Sequence, residues 1–199
     1  MKKVSNLLIA STLIIGSASI AYADSSISDI EARTAASKSA TGTFLKKLGG
    51  TLKSEMKSAG PEAAVKVCQE VAPNIANDIS LKNGWQVTRV SSKPRNSMMA
   101  LPDAWEQTVL QDFEKRAAKG EKYKNMFKAE VVDEPAGKSF RFMKAIGVAP
   151  QCLSCHGSSE KIPQKLQAQF KELYPHDMAT GYKVGDLRGA VSIKQPLKN

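Results

Sequence analysis

Three of the chain's five cysteine and histidine residues lie in one pentapeptide, Cys152-Leu153-Ser154-Cys155-His156. This is the C-x-x-C-H attachment sequence of a c-type haem. Two thiols at this spacing can bond the two vinyl groups of one porphyrin, and the adjacent histidine is then held against one face, where a ring nitrogen can bind the iron. We therefore expect one covalent haem c, attached to Cys152 and Cys155 and ligated by His156, as the largest apolar group in the core.

Two other uses of such a motif are less well supported. A thioredoxin-like redox pair belongs to a βαβ unit, whereas Ala149-Pro150 before the motif and Gly157-Ser158-Ser159 after it argue against a helix that begins at the first cysteine. A zinc site needs four ligands. Only Cys68 and His176 remain to complete one, and their spacing fits no common zinc knuckle.

The N-terminus has the three parts of a secretory signal peptide. Met1-Lys2-Lys3 is positively charged, residues 7–20 are mostly apolar, and Ala21-Tyr22-Ala23 is a small-x-small cleavage site. The apolar run is shorter than the roughly 20 residues that span a bilayer, and no later run is longer. We therefore expect a signal peptide over 1–23, cleavage after Ala23, no transmembrane segment in the mature chain, and a periplasmic protein.

Composition favours one folded domain over residues 24–199. Hydrophobic residues make up 42% and charged residues 24% of the chain, which is typical of folded proteins and excludes wholesale disorder. The net charge is +10, and cleavage removes Lys2 and Lys3 from that total. This basic balance could steer an acidic redox partner or anionic lipid. Export and the lack of a basic motif with interleaved aromatic residues argue against nucleic acid.

The spacing of apolar residues predicts helices first, then strands with interposed helices. Helices are expected over 44–56, from Gly60-Pro61 to the region of Pro73, from Pro102-Asp103 to near Gly120, and over 161–173. Pro73 should end or kink the second of them. Strands are expected over 85–90, 123–132, 140–146 and 190–193. This order predicts an α+β fold with a small antiparallel sheet flanked by helices.

The second axial ligand of the iron would decide the function, and several residues compete for it. Cys68 lies on the apolar stripe of its helix, so its thiol should point inward, and an unpaired cysteine is unusual in an exported protein. His176 lies in a polar turn, where a surface histidine is the ordinary expectation. An open site is a further alternative, as is a methionine. The candidate methionines are Met98, Met99, Met143 and Met178.

Three basic residues between the predicted strand over 85–90 and the next helix could pair with the haem propionates. They are Arg89, Lys93 and Arg95. Arginine is suited to this because its guanidinium binds a carboxylate through two parallel hydrogen bonds. The alternative is that all three are ordinary solvated surface charges.

Five segments in chain order resemble a c-type haem family with a PAS-like sensor fold, formerly a domain of unknown function, which also occurs ahead of histidine kinases and diguanylate cyclases. The segments are 67–73 (VCQEVAP), 95–96 (RN), 102–106 (PDAWE), 152–156 (CLSCH) and 185–192 (GDLRGAVS). Residues 97–101 differ from the Asn-rich stretch expected after Arg95-Asn96. The resemblance implies haem bonded to Cys152 and Cys155, His156 as proximal ligand and Cys68 as distal ligand.

These observations predict a redox or diatomic-gas (CO or NO) sensor with a redox or signalling protein partner. The alternative is a periplasmic electron-transfer cytochrome c. Most small cytochromes are helical and carry the motif near their start, whereas here it comes after the predicted strands over 123–132 and 140–146. An enzyme is not expected, because a peroxidase needs a distal acid/base group and His176 is the only remaining histidine.

Overall fold

The computed structural model describes residues 18–197, and their side chains from residue 27 onward. Residues 1–17, most of the predicted signal peptide, lie outside the described part. Residues 18–23, which include the predicted cleavage site, form the first turns of helix α1 (Ala18–Ser58). None of the helices in the described part is long and apolar enough to cross a membrane.

A four-stranded antiparallel sheet forms the centre of the molecule. Its strands are β1 (Gln86–Val90), β2 (Phe127–Glu134), β3 (Gly137–Gly147) and β4 (Leu187–Pro196), in the spatial order β1-β4-β3-β2. A tight turn joins β2 to β3, and Gly137 adopts a positive φ of 111° there, which only glycine does easily. The prediction of an α+β fold with a small antiparallel sheet is confirmed.

Short and long helices surround this sheet. After α1 they are α2 (Gly60–Lys66), a π-helical turn (Val67–Val71), α3 (Ala72–Asn83), α4 (Ser97–Ala100), α5 (Ala104–Ala118), α6 (Leu153–His156) and α7 (Gln164–Leu173). Turns of 3-10 helix cover Tyr123–Asn125, Pro150–Cys152 and Ser159–Lys161.

Pro73 neither ends nor visibly interrupts the helical path, which corrects the expectation from sequence. The segment continues from α2 through the π-helical turn into α3, where Pro73 occupies the first turn. Proline is tolerated at that position because it lacks only an N–H that a helix start leaves unbonded. The π-helical turn supplies the new start, since the Ala72 N–H bonds the Val67 carbonyl five residues back.

Helices cover both faces of the sheet. Phe140 and Phe142 of β3 face α1 and α3, where Phe44 and Ile75 are buried. The intervening residues of β3 face the other way, because side chains alternate along a strand. On that second face, α5 packs against β3, β4 and the residue before β2. The buried residues of α5 are Val109, Leu110 and Phe113, and they contact a cluster formed by Met126, Met143, Ala145 and Ala190.

The long connection from β3 to β4 carries the pentapeptide motif. It forms two small apolar clusters at one end of the sheet. In one, Val148, Ala179 and Tyr182 pack against Cys152 and Leu153. In the other, α7 packs against Val65 of α2 and against Cys155. The motif is therefore enclosed by α2, α7 and the loop that leads to β4.

Candidate functional site

The motif is folded into one compact helical turn. A 3-10 turn from Pro150 to Cys152 runs directly into α6, a single helical turn that begins at Leu153, one residue after the first cysteine. Residues three apart lie on the same side of a helix, and this places Cys152 and Cys155 together. Gly157 ends the turn by donating its N–H to the Leu153 carbonyl at 3.0 Å. A Cβ at position 157 would lie 2.7 Å from that oxygen, so glycine is required there.

His156 is oriented by a backbone carbonyl. Its Nδ1 lies 2.7 Å from the Ala179 oxygen. Because a carbonyl only accepts hydrogen bonds, Nδ1 carries the proton and Nε2 keeps its lone pair. Burial, and then the charges of Arg188 and Arg95, lower the pKa of His156 to about 3. A neutral imidazole whose second nitrogen is held by a carbonyl is the form in which histidine binds a metal.

Residues 177–182 form a support behind the motif. Tyr182 donates its N–H to the His156 carbonyl at 2.9 Å, and Gly181 donates its N–H to the Gly157 carbonyl at 2.7 Å. Ala179, which accepts from His156, is fixed in turn by its own N–H to Asp177 Oδ1 at 2.7 Å. The imidazole is thus positioned by hydrogen-bonded backbone rather than by packing alone.

Arg95 ties this support to the motif. Its Nε donates to Asp177 Oδ2 at 3.0 Å, and its Nη2 donates to the Cys155 carbonyl at 2.6 Å. Its guanidinium also lies 3.6 Å from the ring centre of Phe170. Nη2 therefore holds α6 and Nε holds Asp177, which leaves Nη1 for the predicted propionate contact.

Cys68 lies in the π-helical turn, which directly follows α2. Its side chain is half-buried. Burial raises the pKa of Cys155 and Arg95 lowers it, and the nearby thiols Cys68 and Cys152 raise it further. Burial and Cys68 also raise the pKa of Tyr174. The structure therefore brings Cys68 into the region of Cys152 and Cys155, although more than 80 residues separate them in sequence.

Two arginines in the same region have no acidic partner among the described residues. Arg89 of β1 faces Cys68 and Tyr174, and burial lowers its pKa. Arg188 of β4 places its Nε 3.5 Å from His156 Nε2, and its Nη1 donates to Ser91 Oγ at 3.1 Å. Burial lowers its pKa as well. Both side chains are half-buried, and a cation partly withdrawn from water is stabilised by a negative partner.

A haem fits this environment. Its two propionates would supply the negative charge that Arg89 and Arg188 lack, and its ring would contact the apolar side chains around α6. Arg89 was a candidate from sequence, whereas Arg188 was missed. The signal available for it was its place in segment 185–192 of the family resemblance. Lys93 has another role, because its Nζ donates to the Thr180 carbonyl at 2.7 Å.

The other candidate ligands lie in different surroundings. His176, Met99 and Met178 are exposed, and Met98 is 94% exposed. Met143 is fully buried in the cluster beneath α5. Among the described residues, no group of three or more His, Cys, Asp or Glu side chains is arranged to hold a bare metal ion.

Comparison with known proteins places these features in a family. No curated protein matches the chain. The crystal structure of the cyanobacterial heme-protein Tll0287 is similar, with a TM-score of 0.60 and 27% sequence identity over 85% of this chain and 95% of that one. A family model described as Tll0287-like matches residues 15–196, almost the whole sequence. The chain therefore belongs to the Tll0287-like family, which includes a haem protein.

Proposed function

We propose that this chain is an exported c-type haem protein that carries one covalent haem in a PAS-like domain and acts as a redox or small-gas sensor. Cys152 and Cys155 would hold the haem, and His156 and Cys68 would be the axial ligands. Family membership with a haem protein supports the cofactor, and the signal-peptide pattern over 1–23 supports export to the periplasm.

The position of Cys68 carries the proposal. Cys68 lies in the π-helical turn that directly follows α2, and α2 packs through Val65 in the same apolar cluster as Cys155. Cysteine sulfur is a strong ligand for haem iron, so a cysteine at this position would supply the second axial ligand. Such π-helical turns are frequent at functional sites.

A haem bound here supplies one-electron redox chemistry and an iron site for diatomic ligands. The protein's contribution is a fixed ligand and a movable one. His156 is fixed, because the backbone of residues 179–182 holds its Nδ1 and its carbonyl. Cys68 would be the movable ligand, held to the iron in the oxidised protein and released in the reduced protein. Its release would leave room for CO or NO and would shift α3, which begins at Ala72 directly after the π-helical turn.

An electron-transfer cytochrome is the second candidate, and the exposed lysines near residues 115–124 favour it. Such a basic surface suits association with an acidic redox protein. We do not propose an enzymatic activity. A peroxidase would need a distal acid/base group, and His176 is exposed in a turn.

Absorption spectra of the purified protein test the proposal in oxidised, reduced and CO-treated states. We expect a thiolate-ligated ferric spectrum that Cys68→Ala abolishes and that the matched control His176→Ala keeps. We also expect CO to bind the reduced protein. A ferric spectrum that is unchanged in Cys68→Ala would contradict the axial assignment. A reduced protein that excludes CO and has a positive midpoint potential would favour simple electron carriage.

A further inference from the structure

We propose that four lysines beside the haem-binding loop, the connection between β3 and β4 that carries the motif, form a docking surface for an acidic redox protein, an inference that rests on the proposed haem function. The lysine patch consists of Lys115 and Lys119 near the end of α5 and Lys122 and Lys124 around the following 3-10 turn. All four side chains are exposed. None of them takes part in the ion pairs found in residues 27–197.

The acidic side chains of this stretch are outnumbered by its basic ones, so the patch keeps an excess of positive charge. Asp112 and Glu121 both pair with Arg116, at 3.3 and 2.7 Å. The third acid between residues 112 and 124 is Glu114. It is exposed, and it forms no ion pair within the described part of the chain. The large apolar residues of the region, Phe113 and Met126, are fully buried. The surface is therefore charged and hydrated, with little apolar area.

Tyr123 connects the lysine patch to the haem-binding loop. Its ring packs against Gly147, the last residue of β3, where an added Cβ would lie only 2.9 Å from Tyr123 Cδ2. Its phenol hydroxyl is hydrogen-bonded to the backbone of Leu187. Gly147 is followed by Val148, which packs against Cys152 and Leu153 of the motif. Leu187 is followed by Arg188, whose Nε lies 3.5 Å from His156 Nε2. A partner bound at the patch would thus lie next to both segments that flank the site.

The patch is also rigidly placed. Lys144 of β3 donates its Nζ to the carbonyls of Tyr123, Lys124 and Met126, at 2.9, 2.7 and 3.0 Å. These bonds hold the 3-10 turn to the sheet. Complementary charge on a partner would then raise the association rate and orient the encounter, as it does in other electrostatically steered complexes.

A protein partner explains the position of the patch better than a membrane does. Attachment to an anionic bilayer needs positive charge but no closeness to a haem pocket, and amphipathic membrane attachment also uses exposed apolar side chains, which this surface lacks. Electron exchange does need closeness, because one electron must pass from the donor to the haem iron.

Stopped-flow reduction of the haem-loaded protein by reduced flavodoxin, an acidic one-electron donor, tests the patch. The variant Lys119→Glu/Lys122→Glu/Lys124→Glu should be reduced at least about tenfold more slowly than wild type at low ionic strength, and the two rates should converge at about 0.5 M salt. The control Lys46→Glu/Lys47→Glu/Lys53→Glu makes the same charge change on the exposed side of α1. It should slow reduction by less than about threefold.

Three results would overturn the inference. Equal slowing in both variants would mean that net charge alone acts. Unchanged rates in the patch variant would mean that the donor docks elsewhere, and an intact haem spectrum in that variant would leave the proposed function standing. The third result is a membrane role: wild type, but not the patch variant, sediments with vesicles of about 30% phosphatidylglycerol in phosphatidylcholine while flavodoxin reduces both equally fast.

Discussion

At the scale of single residues, the site depends on one ion pair behind the motif. The side chains of Arg95 and Asp177 are each only 11% exposed. Asp177 binds Arg95 through Oδ2 and the Ala179 N–H through Oδ1, and Ala179 in turn accepts from His156. One carboxylate therefore positions both the arginine that holds Cys155 and the carbonyl that holds the imidazole.

Replacing this carboxylate should be costly. Asp177→Ala leaves a buried guanidinium without its counter-charge and frees the Ala179 N–H, so we expect a loss of about 2–4 kcal/mol in the free energy of unfolding. The matched control Asp29→Ala breaks an exposed i,i+4 pair with Arg33 in α1 and should cost about 0.5 kcal/mol or less. Denaturant unfolding of both variants measures the difference. Equal losses would show that Asp177 has no special role.

At the scale of secondary-structure elements, the π-helical turn determines where the Cys68 thiol points. A π-helical turn arises when one extra residue is accommodated in an α-helix. The faces before and after it stay aligned, so Val65 of α2 remains in its cluster with α7 while Ile75 of α3 packs on the sheet. The extra residue changes the direction of the side chains within the turn itself, including that of Cys68.

Deleting Gln69, which is exposed, should convert the turn into regular α-helix. We expect the protein to fold, because the buried faces of α2 and α3 keep their relative rotation, but to lose the thiolate signature in the ferric spectrum. Gln69→Ala keeps the extra residue and should keep the signature. Circular dichroism and absorption spectra of the two variants provide the comparison. A thiolate spectrum that survives the deletion would mean that the turn does not position Cys68.

The element that sequence periodicity described least well is α1. A helix was expected over 44–56, yet α1 begins at Ala18. Its middle section faces the protein with small hydroxyl residues rather than an apolar stripe: Ser37 and Thr41 are 0% and 2% exposed. Ser37 Oγ accepts from Gln195 Nε2 at 2.8 Å. Because polar contacts replace apolar ones along this stretch, the helical pattern of apolar residues is absent there.

At the scale of the whole molecule, sequence predicts the site better than its surroundings. The motif spacing predicts that Cys152, Cys155 and His156 act together, and the helix face of Cys68 predicts an inward thiol. The unpartnered cation at Arg188 and the support by residues 177–182 depend on contacts between distant segments, which no local pattern reports. Pro73 shows a further limit, because the expected end or kink of the helix does not occur: the π-helical turn places Pro73 in the first turn of α3.

One buried ionic network links strands β2, β3 and β4 to α5 and makes stability depend on pH. Arg141 is 5% exposed at its side chain and pairs with Glu134 at 2.9 Å and with Asp103 at 2.8 Å, and Lys194 also pairs with Glu134. Burial alone would raise the pKa of Glu134, but hydrogen bonds from Lys194 and Arg141 outweigh it and lower that pKa. A carboxyl whose pKa is lower in the folded state stabilises the fold above its unfolded pKa.

The contribution of Glu134 should therefore be present at neutral pH and disappear as the pH falls below the ordinary glutamate value of about 4.3 and through the lowered one. We expect Glu134→Gln to lose about 1–3 kcal/mol in the free energy of unfolding at pH 7 and much less than that near pH 3. The neighbouring Asp133 is 82% exposed and lies 3.7 Å from Lys138, so Asp133→Asn should change little at either pH. Urea unfolding of both variants from pH 7 to pH 3 measures this. A loss in Glu134→Gln that stays constant across that range would show that packing, rather than the ionised carboxylate, stabilises the junction of the sheet with α5.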